Sequence, residues 1–173
     1  MKALSLFVGM DVAGAVCPVG NLTVHSVRGK EYYAFRYASS WIDREDAFAI
    51  DPSLPLAPDM PYQSDELRGA FQDVSPDRWG RLVQSRVQGR SLRESDFLLG
   101  VSDYMRMGAL RLSNAERPDV FLAGHRDIPK LAHLREIESA ARLLEAGKET
   151  AKDLAILLQP GSSLGGARPK AAI

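Results

Sequence analysis

The opening of the chain alternates between apolar and polar positions. In "EYYAFRY", Tyr33, Phe35 and Tyr37 fall on one face at period two, with Ala34 and Arg36 on the other. That is the pattern of a half-buried strand. "NLTVHSV" precedes it across Arg28-Gly29-Lys30, and a short glycine-containing break between two such runs predicts a hairpin. Upstream, "ALSLFVG" reads as a short apolar strand, and Gly9 and Gly14 predict a turn before "AGAVCPVG". Downstream, "AFAIDPSLPLAPDMP" predicts one more strand and then a connector in which Pro52, Pro55, Pro58 and Pro61 exclude a helix.

The period then changes to that of helices. Ser75-Pro76-Asp77 predicts a helix start, with the serine as N-cap, proline at the first helical position and an acid near the positive end. Trp79, Leu82, Val83, Arg86 and Val87 follow as its apolar face, and a second helix over 94–99 is expected to stop at Gly100. "MGALRLS" returns to a strand, with "RPDVFLAG" as its partner. Leu131, Leu134, Ile137, Ala141 and Leu144 recur at helical spacing up to Gly147. "TAKDLAILLQ" predicts a shorter helix ended by Pro160-Gly161, and residues 170–173 open a further strand. This order is not a repeated βαβ pattern, so the expected fold class is α+β. No internal repeat or low-complexity tract stands out.

Composition narrows the function classes. With 173 residues, 45% hydrophobic and 25% charged, the chain is of ordinary globular make-up and long enough for one good core or two small ones. Its 22 basic and 22 acidic residues cancel. Broad nucleic-acid or membrane-surface binding draws on a basic excess, so direct contact with either is not expected. Cys17 is the single cysteine, which excludes an internal disulfide and a cysteine zinc site and fits a reducing cytoplasm. "MKALSLFVGMDVAGAVC" begins like a secretion signal, but Asp11 interrupts the apolar run and branched Val16 stands before the cysteine. No stretch reaches the ~18 apolar residues of a membrane helix.

One stretch carries readable chemistry, "SSLGGARPKAAI" at Ser162 to Ile173. Gly165 and Gly166 can adopt backbone angles that turn successive N–H groups inward as an anion nest. Arg168 and Lys170 supply cations, and Ser162 or Ser163 a hydroxyl. The spacing is neither that of a Walker A loop nor Gly-x-Gly-x-x-Gly, and taken alone such a stretch is more often a plain helix-to-strand turn. His25, His125 and His133 are scattered, without metal-ligand spacing. "DRED" (Asp43 to Asp46) reads as a loop, and "PDRWGR" as a helix start whose Trp79 anchors the core. No serine–histidine–acid set emerges. The amphipathic stretch over 130–148 reads as core packing rather than a partner site.

"YAFRYASSWI", "SLPL", "FQDVSPDRWGR", "FLLGVSDYMRMGAL" and "SSLGGARPKAAI", in this order, resemble the amino-terminal part of the HipA family, the kinase toxins of bacterial HipA–HipB toxin–antitoxin pairs. The resemblance runs from about Tyr32 to Ile173. It implies a small antiparallel, barrel-like β-rich subdomain with helices over 1–110, followed over 111–173 by the start of a kinase-like N-lobe ending at the phosphate loop. The family's phosphate loop aligns with 163–170, which implies nucleotide-phosphate binding at Leu164, Gly165, Gly166, Ala167, Arg168 and Lys170. It also implies regulatory autophosphorylation at Ser163, which draws the loop out of the ATP site. Studied members carry glutamine where this chain has Arg168, so that side chain either strengthens the phosphate contact or points to solvent.

The family's catalytic and magnesium-binding aspartates would lie beyond Ile173, so no catalytic residue and no metal ligand is expected in this chain. By itself it is expected to be inactive, since phosphoryl transfer needs metal, base and clamped phosphate together. ATP and Mg belong to the intact kinase. The implied partners are a HipB-like DNA-binding antitoxin, a protein substrate such as an aminoacyl-tRNA synthetase, and the carboxy-terminal kinase lobe. Two other readings remain open here: a non-catalytic, antitoxin-like module that docks on and restrains a separate HipA-like kinase core, and a β-rich domain whose glycine loop binds nothing.

Overall fold

The computed structural model describes residues 2–101, 103, 106–121 and 134–158. The chain divides into two compact units. The first comprises residues 1–74 and 108–122, and the second residues 75–107 and 123–173.

The first unit is built on an antiparallel six-stranded sheet. Its strands are β1 (Lys2–Val12), β2 (Ala15–Val27), β3 (Lys30–Tyr37), β4 (Tyr62–Ser64), β5 (Leu110–Asn114) and β6 (Arg117–Phe121). They lie in the order β4-β3-β2-β1-β5-β6. Two tight hairpins start the sheet. Ala13 and Gly14 have φ of 52° and 85°, and Arg28 and Gly29 have 49° and 83°. Positive φ at both central residues is the turn that matches the right-handed twist of a hairpin, and glycine adopts it without steric cost. "AGAVCPVG" and "NLTVHSV" are therefore halves of one long strand. Pro18 is accommodated where the register shifts: Val8 faces Gly20 and Gly9 faces Pro18, so Val19 is passed over and turns fully into the core. A bulge is where a residue without a backbone donor fits a sheet. β5 pairs with β1 from Met10↔Leu110 to Leu6↔Asn114, so residues past position 110 belong to the same sheet as the amino-terminal hairpins.

Strand alternation decides the core face. Leu6, Val8, Leu22, Val24, Tyr33, Phe35, Tyr37 and Leu112 are buried. The short helix α2 (Gly69–Asp73) covers them with Phe71, whose ring meets Phe35 edge-on at 5.4 Å. A four-residue helix, α1 (Ser39–Ile42), buries Trp41 and has no counterpart in the sequence pattern.

The strand expected at the start of "AFAIDPSLPLAPDMP" does not form. Side chains satisfy that segment's backbone instead. The Trp41 Nε1 donates to the Phe48 carbonyl at 3.1 Å, and the Tyr37 hydroxyl accepts from the Ile50 N–H at 3.0 Å while donating to the Leu54 carbonyl at 2.7 Å. The connector is helix-free, as its prolines require, and leads into β4.

The described part of the second unit is helical: α3 (Arg78–Gln88), α4 (Glu94–Leu99), α5 (Leu134–Glu145) and α6 (Ala151–Leu158). α3 starts later than the sequence suggests. Asp77, not Ser75, is its N-cap, accepting from the Gly80 N–H at 2.7 Å. Its buried face is Trp79, Gly80, Val83 and Gln84, whereas Leu82 and Val87 are exposed. α4 ends at Gly100 as expected. α5 stops at Gly147 (φ 64°), with the Lys148 N–H returning to the Leu143 carbonyl at 2.9 Å. α6 opens with Thr150 and Asp153 capping each other. Trp79, Val83, Ile137, Ala140, Ala141, Leu144 and Leu157 form this unit's core.

Candidate functional site

Ser163 and the positions expected to bind nucleotide, Leu164, Gly165, Gly166, Ala167, Arg168 and Lys170, lie outside the described residues, as do His125 and His133. The described residues hold most of the segments that carry the resemblance upstream of that loop.

In "PDRWGR", Asp77 caps α3, Trp79 enters the core and Arg81 reaches across to α4. Its two terminal nitrogens donate to the Glu94 carboxylate at 2.6 and 2.8 Å, and its Nε donates to the Pro76 carbonyl at 3.1 Å. The same guanidinium lies 4.7 Å from the centre of the Phe97 ring. Such a fork fixes distance and angle together, which a lysine cannot do. A second fork joins Arg90 to Asp96, with both bonds at 3.0 Å. The Arg90 guanidinium and the Arg93 N–H together hold the Asp96 carboxyl below the usual carboxylate range.

At the other end of α4, buried Arg106 donates to the carbonyls of Leu98 and Val101 at 3.2 and 3.0 Å. A cation at that end complements the helix dipole and satisfies carbonyls that lack helical partners. Nothing in "YMRMG" marks this arginine as buried, because flanking methionines suit surface and interior alike.

Each unit carries a groove among these residues. The first, of about 450 Å³, lies on the sheet face opposite the core. His25, Val27, Tyr32, Ala34, Gln63 and Asp65 line it, and the His25 Nδ1 is buried without a hydrogen-bond partner. The second, of about 310 Å³, is bounded by α3, α4 and the end of α6. Gln84 lies in its wall, and its Oε1 is buried without a partner. Sequence reasoning missed both. In the sequence His25 is one of three scattered histidines, and Gln84 falls between the apolar positions that define the α3 face.

Among the described residues no group of three or more His, Cys, Asp or Glu is placed to hold a metal ion, and no helix is long and apolar enough to cross a membrane. Among the ion pairs there, Arg81–Glu94 joins two helices and Arg90–Asp96 ties a loop to α4.

No curated protein sequence matches the chain. The model of the HipA N-terminal domain family does match, over residues 10–113. That span runs from the end of β1 through both hairpins, the proline-rich connector, α3 and α4 to β5. It covers more than half of the sequence and takes in the Arg81–Glu94 fork and the Arg106 anchor, so the chain belongs to the HipA family as its N-terminal portion.

Proposed function

We propose that this chain is the front part of a HipA-like serine/threonine kinase toxin, which in its intact form transfers phosphate from ATP, with magnesium, to a protein substrate. The observation that carries the reading is the family match over residues 10–113, followed in the sequence by Ser163-Leu164-Gly165-Gly166-Ala167-Arg168-Pro169-Lys170. The backbone N–H groups around Gly165 and Gly166 would cradle phosphate oxygens, with Arg168 and Lys170 supplying positive charge. Ser163 is the proposed site of regulatory phosphorylation. A HipB-like DNA-binding antitoxin, acting in the cytoplasm, is the proposed partner, and an aminoacyl-tRNA synthetase is the kind of protein substrate proposed.

The test is a kinase assay on the native gene product, purified from its host and incubated with labelled ATP and magnesium. Label on Ser163, abolished by Ser163→Ala at that residue and by removing magnesium, supports the proposal. A native product that neither labels itself nor labels any host protein contradicts it, and moves the balance to a docking module for a separate kinase core.

A further inference from the structure

The groove on the outer face of the sheet is built by three adjacent strands. His25 of β2 stands opposite Tyr32 of β3, and Ala34 of β3 stands opposite Gln63 of β4. Alternate residues share a face, so these side chains project together, and Asp65 follows two positions after Gln63. Cross-strand neighbours on one face lie about 5 Å apart. Ala34 is small and leaves the floor open, while Tyr32 (43% exposed) and Val27 (37% exposed) form apolar walls. The space enclosed is about 450 Å³.

Charge and the polar groups still open decide what fits there. Asp65 is the only Asp, Glu, Lys or Arg in the lining; it is exposed, and among the described residues nothing pairs with its carboxylate. Arg68, beside β4, donates instead to the Gln63 carbonyl at 3.3 Å and does not line the groove. The Gln63 side chain is exposed and unengaged as well. Other polar atoms of the lining are buried or engaged. The His25 Nδ1 is buried, the core residue Tyr33 donates its hydroxyl to Glu31, and the Ser64 hydroxyl accepts from the Glu66 N–H. A ligand therefore meets a carboxylate, an amide oxygen and an aromatic ring, with no Lys or Arg among them. That set fits a planar cation with several donors on an apolar stem, which among side chains is the guanidinium of arginine. We infer that the groove is a docking site for an arginine side chain of a partner polypeptide, its guanidinium donating to Asp65 and Gln63 and stacking on Tyr32. An arginine within a chain fits better than the free amino acid, because the lining offers no Lys or Arg to meet an α-carboxylate. This inference does not rest on the kinase reading.

The experiment titrates the isotopically labelled 173-residue protein with a capped Gly-Arg-Gly peptide, followed by NMR. The same peptide carrying citrulline (the same shape without the charge) or lysine, and free arginine, are compared with it. Saturable shifts at the amides of Tyr32, Gln63 and Asp65 are expected with the arginine peptide, and the citrulline and lysine peptides should bind about fivefold more weakly. Asp65→Asn, at an exposed position, should leave the rest of the spectrum unchanged and level the arginine and citrulline peptides. Ala34→Phe should fill the floor of the groove and abolish binding of both. Equal affinity for the arginine and citrulline peptides in the unsubstituted protein overturns the inference, and so does the absence of any saturable shift in the groove. Free arginine binding more tightly than the arginine peptide also overturns it, by assigning the site to a small molecule.

Discussion

The carboxylate of Glu94 accepts from both terminal nitrogens of Arg81, so the first turn of α4 is fastened to the first turn of α3. Two further contacts of the same guanidinium, to the Pro76 carbonyl and the Phe97 ring, make it the node of this helix pair. Arg81→Lys keeps the charge and loses the fork and the Pro76 bond. The pair is partly open to solvent, so a loss of about 1 kcal/mol is expected, and Arg81→Ala should cost about twice that. Urea unfolding followed by helical circular dichroism measures both. If the lysine variant unfolds at the same urea concentration as the parent, the fork contributes no specific restraint.

Asp51 ties the proline-rich connector to α2. Its carboxylate accepts from the Ser53 hydroxyl at 2.6 Å, from the Ser53 N–H at 2.8 Å and from the Ala70 N–H at 2.9 Å. These bonds, the Ser53 hydroxyl first, hold the carboxyl below its ordinary range. A depressed carboxyl pKa stabilises the fold fully above the unfolded value of about 3.9, and the gain is lost as pH falls through the folded value. Asp51→Ala should therefore lower stability by roughly 1–2 kcal/mol at pH 7, and the difference from the parent should shrink below about pH 4. Thermal melts across pH 3–7 check this. A difference that stays constant down to pH 3 would show that the charged form plays no part.

Gly20 is needed for space. It sits between Val8 and Tyr37 in the sheet, and a Cβ there would run into the Arg36 carbonyl and the Phe35 ring. The obstruction includes backbone, which cannot swing aside as a flexible side chain can. Gly20→Ala is expected to cost more than about 2 kcal/mol, and Gly14→Ala, which meets no atom but has positive φ, only about 1. Chemical denaturation of the two variants ranks them, and the reverse ranking would contradict this account of the sheet.

In the helical unit Leu144 is almost wholly buried with Trp79, Ile137 and Leu157. Leu144→Ala should lose 2–5 kcal/mol, about the usual range for a cavity of that size. The same substitution at exposed Leu82 should lose less than about 1 kcal/mol. Equal losses would mean that the buried face of α3 and α5 is not the one described.

The parts of this fold that were legible in the sequence are those decided locally. The alternation of Tyr33, Phe35 and Tyr37, the Arg28-Gly29 turn and the end of α4 at Gly100 all follow from side-chain period and backbone freedom within a few residues. What misled was decided by distant partners. Residues 47–51 look like a strand, but Trp41 and Tyr37 engage their backbone through side chains instead. Leu82 and Val87 look like core, yet Gly80 and Gln84 take those places because α3 buries a face rotated toward them. Of the candidate site, the glycine pair and the two cations near residue 168 were legible as chemistry from sequence alone, and they fall outside the described residues. The buried Gln84 amide was not legible, since an unpartnered oxygen is a property of packing.

The central claim is that these residues are the front of a larger kinase. Its most direct test is the mass of the native product, isolated from host extract with an antibody raised against this chain. A product well above 19.0 kDa, containing kinase sequence beyond Ile173, is the predicted result. A single product of 19.0 kDa would contradict it.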